Sequence, residues 1–335
     1  MHLSQPYLLF LGDAPDHLAA KTARGIHQWR PDICVGQLRL PGCETTLGLP
    51  DLTVEEAAAR GAATLVVGVA NRGGVIADHW RAVFKDALAN GLDIAAGLHQ
   101  KLNDIPELVE TAEEYGRMLF DVRHPTETFP VAHGVPRPGK RILAVGTDCS
   151  VGKMYAMLAM ERTMKARGLK ADFRATGQTG ILIAGEGVSV DAVVADFISG
   201  ATEVLCPAND DDHYDLVEGQ GSLFHASYAG VSLGLLHGAQ PDYLVLCHEP
   251  GRAHMRGLPG FALPDLDACM DLNLRCARLV NPEARFVGAC FNTSALDDDA
   301  ARRVMHEASE RLGLPVVDPV RSGVEPLVDR VLGDA

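Results

Sequence analysis

The run Gly146-Thr147-Asp148-Cys149-Ser150-Val151-Gly152-Lys153-Met154 contains the residue types that bind phosphate. Small side chains leave backbone N–H groups open to an anion, a helix starting at the end of the run adds its positive pole, and Lys153 adds a full charge. The first glycine stands one residue earlier than the G-x-x-x-x-G-K pattern requires, and Met154 takes the place of the hydroxyl that would help to hold magnesium. A thioether is a poor ligand for a hard, oxygen-seeking cation, so phosphoryl transfer lacks one of its expected parts. Anion binding loses nothing by the same change. An ordinary strand-to-helix turn that happens to end in Gly-Lys is the competing reading.

Other candidates follow apolar runs that read as strands. Glu218 closes one such run and leads into Gly219-Gln220-Gly221-Ser222. Arg174 closes another, ahead of Thr176-Gly177-Gln178-Thr179-Gly180. A third runs into His248-Glu249-Pro250-Gly251-Arg252, and His225 lies nearby in the chain. In the first half, Asn71-Arg72-Gly73-Gly74 can take an anion or substrate carboxylate on Arg72, or can be a plain turn.

These residues need elements to position them, and the pattern supplies alternating strands and helices. Strands are expected at 7–11, 33–38, 64–69, 92–95 and 117–122, with helices at 21–29, 53–60, 76–90 and 105–115 between them. After 141–145 come a helix at 154–167, a strand at 171–175, a helix at 188–198, strands at 214–217, 243–247 and 286–291, a helix at 298–312 and a strand at 315–317. Such alternation demands mainly parallel sheets covered by helices, with ligands at the carboxyl ends of the strands. The fold class is therefore α/β. A Rossmann-like domain is expected over 1–124, a linker over 125–140, where prolines and glycines spoil regular structure, and a P-loop domain over 141–335. No G-x-G-x-x-G follows any strand of the first half, so the dinucleotide fingerprint is missing.

The chain has 335 residues and a formal net charge of −14, which disfavours a nucleic-acid surface and requires any bound anion to be held by a local cluster of donors. The eight cysteines form no C-x-x-C pair, so neither a zinc site nor a disulfide framework is expected and no metal is assigned. No apolar run is long enough for a membrane span, and the first residues lack a secretory pattern; the expected location is the cytoplasm.

The 146–153 loop, the Leu216-Val217-Glu218-Gly219-Gln220-Gly221 strand end and the strand ending in Phe291-Asn292 resemble dethiobiotin synthetase, a P-loop α/β enzyme. Met154-Tyr155, Arg174-Ala175-Thr176-Gly177-Gln178-Thr179-Gly180, Asp196-Phe197, Glu218-Gly219-Gln220-Gly221-Ser222 and Cys247-His248-Glu249-Pro250-Gly251-Arg252 resemble a narrower family, the DgcN-type proteins associated with D-glutamate N-acetyltransferase activity. That resemblance implies acetyl-CoA as co-substrate and a small amino-acid acceptor; together with Met154 it points to the CoA phosphates in the 146–153 cradle, and a homo-oligomer is expected. Acyl transfer needs a base, a carboxylate clamp and oxyanion donors. Glu218 is the expected base, and Arg174 the clamp, with Arg252 and Arg72 behind it. Amides of Thr176, Gly177, Gln178 and Thr179, or of Gly219, Gln220, Gly221 and Ser222, are the donors. His225 and His248 can shuttle protons. Cys149 at a helix start suggests an acetyl-cysteine relay, but direct attack of an amine on a thioester requires none. Two alternatives stay open: an ATP- and magnesium-dependent ligase or kinase, and a nucleotide-binding module without catalysis.

Overall fold

The computed structural model describes residues 1–71 and 73–333. Arg72, one of the candidate carboxylate ligands, falls outside the described residues. The chain forms two compact units, Met1–Thr126 with Gly177–Ala192, and Glu127–Thr176 with Val193 onward.

The first unit contains β1 (Tyr7–Gly12), α1 (Lys21–Trp29), β2 (Cys34–Arg39), α2 (Val54–Ala59), β3 (Thr64–Val67), α3 (Arg81–Ala89), β4 (Asp93–Ala96), α4 (Pro106–Tyr115) and β5 (Leu119–Asp121). Its five strands are all parallel in the order β2-β1-β3-β4-β5. Buried Leu8, Phe10, Leu65, Val67, Ile94 and Phe84 form its core, because strands covered on both faces read as continuous apolar runs. Thr53 and Glu56 form a reciprocal capping box that starts α2.

The remaining elements are β6 (Lys140–Gly146), α5 (Lys153–Ala166), β7 (Lys170–Arg174), α6 (Gln178–Ala184), α7 (Ile198–Leu205), β8 (His213–Val217), α8 (Ala229–Ala239), β9 (Tyr243–His248), α9 (Leu266–Arg278), β10 (Arg285–Phe291), α10 (Asp298–Leu312), β11 (Val316–Val317) and α11 (Glu325–Gly333). Except for α6, they build the second unit around a six-stranded parallel sheet ordered β11-β10-β9-β6-β8-β7. Both sheets are thus parallel, as the alternation requires. β6 lies between β8 and β9 at the point where the strand order reverses, the place where open α/β sheets bind ligands. The loop after β6 is therefore flanked by the ends of β8, carrying Glu218, and β9, carrying His248.

α6 packs on α1 within the first unit: Leu3 N–H donates to the Gly185 carbonyl at 2.6 Å, and Arg123 pairs with Asp191 at 3.4 Å. A Cβ on Gly97, just past β4, would stand 3.1 Å from the Gln178 side chain. The helix expected over 188–198 does not form. Two short 3-10 turns, Val190–Ala192 and Ala195–Phe197, replace it, and Ile198 opens α7 instead. Val188, Val190, Val193 and Val194 lose side-chain freedom in a helix, which explains the correction.

Candidate functional site

β6 delivers Gly146 to the carboxyl edge of the second sheet, and the chain then turns twice through the left-handed region, at Ser150 (φ 55°) and Gly152 (φ 98°), before α5 begins. Left-handed residues alternating with ordinary ones curl successive N–H groups toward one concave side, the arrangement called a nest. Val151 is buried under the loop and anchors it to the sheet. Thr147 N–H donates to the Cys247 carbonyl at 3.1 Å, tying the loop to β9.

Lys153 is buried, with its ammonium donating to the carbonyls of Asp148 (2.7 Å) and Gly221 (2.8 Å). Burial lowers its pKa, while the neighbouring thiols and Asp148 act in the opposite direction. Two neutral carbonyls are weak compensation for a buried charge, so an incoming anion finds a cation whose pairing is incomplete. Gly221 is brought to Lys153 by a close approach two residues earlier: a Cβ on Gly219 would stand 1.7 Å from the Ala144 carbonyl oxygen of β6 and 2.9 Å from Lys153 Cδ. The Glu-Gly-x-Gly turn therefore lies directly against the strand that feeds the loop.

Glu218 is buried at the end of β8. Its Oε2 accepts from Thr176 N–H at 2.9 Å, and its carbonyl accepts from Thr176 Oγ1 at 2.6 Å. Gln220 Nε2 donates to the same Thr176 hydroxyl at 3.0 Å. Thr176, Glu218 and Gln220 thus form one hydrogen-bonded group beside Lys153. Ser222 is buried and its carbonyl accepts from His225 N–H at 3.0 Å. Gly177, Gln178 and Thr179 are carried by the first unit.

Arg174 behaves differently from a side chain aimed at the strand ends. It sits opposite Val217 in the sheet register, yet its Nε donates to Asp215, two residues back along β8, at 2.7 Å. Asp215 is buried, and burial raises its pKa against the pull of Arg174. The guanidinium engages a buried carboxylate through Nε, with Nη2 3.9 Å from Asp172 Oδ2.

Asp148 is fully buried. Its Oδ1 accepts from Cys149 N–H at 2.7 Å, and its Oδ2 accepts from Arg252 Nη1 at 2.7 Å and Arg256 N–H at 2.8 Å. Burial alone would raise its pKa; the hydrogen bonds from Arg252, Arg256 and Cys149 outweigh that and hold it low. Arg252 also donates to the carbonyls of Cys149 (2.7 Å) and Ser150 (3.1 Å) and pairs with Glu249. Arg256, which sequence reasoning passed over, reaches the Ser150 hydroxyl. Its signal was its place four residues after Arg252, in the same loop.

His248 presents Nδ1 to Thr147 Oγ1 at 2.9 Å; burial, then the Arg252 charge, pushes its pKa down to about 4, so the ring is neutral near pH 7. His225 is buried: Ser227 N–H donates to its Nδ1 at 3.1 Å and its Nε2 lies 3.1 Å from the Arg256 carbonyl. An Nδ1 that accepts must be unprotonated, so the proton resides on Nε2 and donates to that carbonyl. Asp148, Cys149 and His225 bring ligand-type atoms within 4.8 Å of one another. In this arrangement His225 Nε2 is directed at the Arg256 carbonyl and Asp148 is paired with Arg252. Burial raises the Cys149 thiol above its ordinary value despite the nearby Lys153 charge, which disfavours the thiolate.

Comparison with known proteins bears on both units. Residues 38–125 match the DUF1611 N-terminal domain, described as a Rossmann-like domain of unknown function, and residues 130–328 match the DUF1611 C-terminal P-loop domain, likewise of unknown function. A protein from Tritonibacter scottomollicae named D-glutamate N-acetyltransferase is 58% identical over 327 residues, covering 98% of each chain. A protein of the same name from Pseudoalteromonas sp. is 48% identical over 328 residues, covering 98% of this chain and 99% of its own. The crystal structure of a DUF1611 family protein from Anabaena variabilis superposes with a TM-score of 0.83 at 32% identity, over 98% of this chain and 100% of that one. With a Rossmann-like half, a P-loop half and full-length relatives of the same construction, the chain belongs to the DUF1611 family.

Proposed function

We infer that this chain is an N-acetyltransferase that acetylates the amine of D-glutamate. The observation that carries the reading is full-length similarity, at 58% and 48% identity, to two proteins named for that activity. Acetyl-CoA is the proposed donor. Its diphosphate suits a nest of backbone N–H groups with a buried lysine whose pairing is incomplete, and Met154 at the magnesium-ligand position is no handicap to a phosphate that is held and never cleaved. The ammonium first gives one proton to the base, the amine nitrogen attacks the thioester carbonyl, the carbon–sulfur bond breaks, and the second proton of the acylated nitrogen passes to the departing CoA thiolate, which is released as the thiol. Glu218 is the proposed base, placed by Thr176, and N–H groups of Gly219, Gln220, Gly221 and Ser222 are the proposed oxyanion donors. Eight cysteines without a disulfide support a reducing, cytoplasmic setting, and self-association belongs to the same proposal.

The test supplies D-glutamate with acetyl-CoA, or with ATP and magnesium, and follows thiol and phosphate release. Thiol release that depends on D-glutamate and falls at least about a hundredfold in Glu218→Gln is the expected result. Phosphate release without thiol release would establish an ATP-dependent enzyme instead. Thiol release unchanged in Glu218→Gln would remove the base assignment alone.

A further inference from the structure

The 146–153 loop has an outer side as well as a concave one, and on the outer side Arg252 makes most of the contacts, with Arg256 beside it. Arg252 Nη1 and Nη2 reach Asp148 Oδ2, the Cys149 carbonyl and the Ser150 carbonyl, at 2.7, 2.7 and 3.1 Å. In a planar trans peptide the N–H points opposite to the carbonyl. Fixing the Cys149 carbonyl toward Arg252 therefore turns the Ser150 N–H away from it, and fixing the Ser150 carbonyl does the same to the Val151 N–H. These are the amides of the concave side, and among the described residues nothing accepts from Ser150, Val151 or Gly152 N–H.

The loop needs this restraint. Ser150 is a non-glycine residue at φ 55°, a conformation that costs free energy unless its surroundings hold it. Its carbonyl is taken by Arg252 and its hydroxyl by Arg256, whose own N–H reinforces Asp148. Asp148 in turn takes the Cys149 N–H, closing the network. Magnesium bound through a hydroxyl after the lysine orders many such loops, and Met154 cannot contribute to that here.

We propose that Arg252 is a positioning residue for the donor: it straps the carbonyls of the loop outward and so pre-forms the amide nest that takes the diphosphate, with Arg256 as a second tie on Ser150. The proposal rests on the acetyl-CoA reading for its ligand and on the geometry above for its mechanism. A pre-formed nest spares the ligand the ordering of the loop, so the strap acts on donor affinity and not on the chemical step.

The experiment titrates CoA and, separately, ADP into wild type, Arg252→Ala, Arg252→Lys and Arg256→Ala by calorimetry, alongside steady-state kinetics and thermal melting. Arg252→Ala is expected to weaken CoA and ADP binding and to raise KM for acetyl-CoA by about tenfold or more, because the nest is no longer pre-formed. kcat at saturating donor and KM for D-glutamate stay within about twofold, since the strap touches neither the base nor the acceptor. Lysine cannot span the three acceptors and does not rescue; millimolar methylguanidine does, in part. Arg256→Ala gives a smaller, roughly threefold loss, the scale of one exposed contact, and decides the matter if Arg252→Ala fails to fold. Donor affinity within twofold of wild type in the folded variants overturns the strap. A wild type that binds ADP but not CoA overturns the acetyl-CoA reading while ADP still tests the strap, and binding of neither overturns both.

Discussion

His248 makes the stability of the second unit depend on pH in a way that can be isolated. Its ordinary pKa of 6.5 falls to about 4 in the folded chain, because burial and the Arg252 charge disfavour the imidazolium. The neutral ring is the form that folds, so the unfolded state binds more protons below pH 6.5 and stability declines as pH falls toward 4. Above pH 6.5 the residue contributes no slope. At pH 5 the loss from this one group is about 2 kcal/mol, rising to about 3 kcal/mol near pH 4 at roughly 1.4 kcal/mol per pKa unit. For a unit of this size 2 kcal/mol corresponds to roughly 4–8 °C in Tm. His248→Asn keeps an acceptor near Thr147 and removes the titration. Wild type and variant are compared by scanning calorimetry at pH 7.5, 6 and 5; both tryptophans, Trp29 and Trp80, lie in the first unit, so their fluorescence would report the wrong transition. The variant is expected to lose less stability than wild type between pH 7.5 and 5, by about 2 kcal/mol. Parallel pH curves for the two proteins would refute the half-buried, neutral imidazole.

Three further substitutions test separate parts of the site. Cys149→Ala is expected to keep turnover within about twofold, because a thiol raised by burial is not the nucleophile; loss of activity with loop binding intact would restore the covalent relay. Gly219→Ala must displace the Ala144 carbonyl, and a melting curve lowered by about 1–3 kcal/mol or more, with loss of activity, is expected; wild-type stability would contradict the close approach. Arg174→Leu leaves Asp215 buried without its partner and is expected to cost about 3–5 kcal/mol of stability while KM for D-glutamate holds. A raised KM at unchanged Tm would return Arg174 to the role of carboxylate clamp.

The strands and the helices flanking them were legible because burial on both faces leaves continuous apolar runs ending in glycine or polar turns; 21–29 and 298–312 match α1 and α10. Among the elements that escaped notice, α9 and α11 carry no interior glycine to explain it, whereas α8 and α6 are glycine-rich or glycine-bounded. α8 carries Gly230, Gly234 and Gly238, poor helix formers that lower any propensity reading. Their use is tertiary: a Cβ at Gly238 would stand 2.3 Å from the Ser199 carbonyl of α7, so the two helices touch backbone to backbone. α6 sits between Gly177 and Gly185 in what reads as a loop. At the site, the residue types of the 146–153 loop and Glu218 stood out in sequence, since strand-end glycines leave a local mark. The engagement of Arg174 by Asp215 and of Arg252 by three loop acceptors left none, because which carboxylate or carbonyl meets a guanidinium depends on partners 41 and more than 100 residues away.

The excursion of Gly177–Ala192 into the first unit changes what counts as a module in this chain. The backbone passes from one unit to the other at 126–127, at 176–177 and at 192–193, so no single cut separates them. A gene fragment beginning at the proline-rich linker encodes every strand of the second sheet together with a 16-residue guest whose packing partners, α1, Gly97 and Leu3, it lacks. Expressed alone, such a fragment carries exposed Ile181, Leu182 and Ile183, which are buried in the whole chain, and it tends to aggregate. The same threading constrains recombination: an exchange at the linker would part the guest from the residues it packs against.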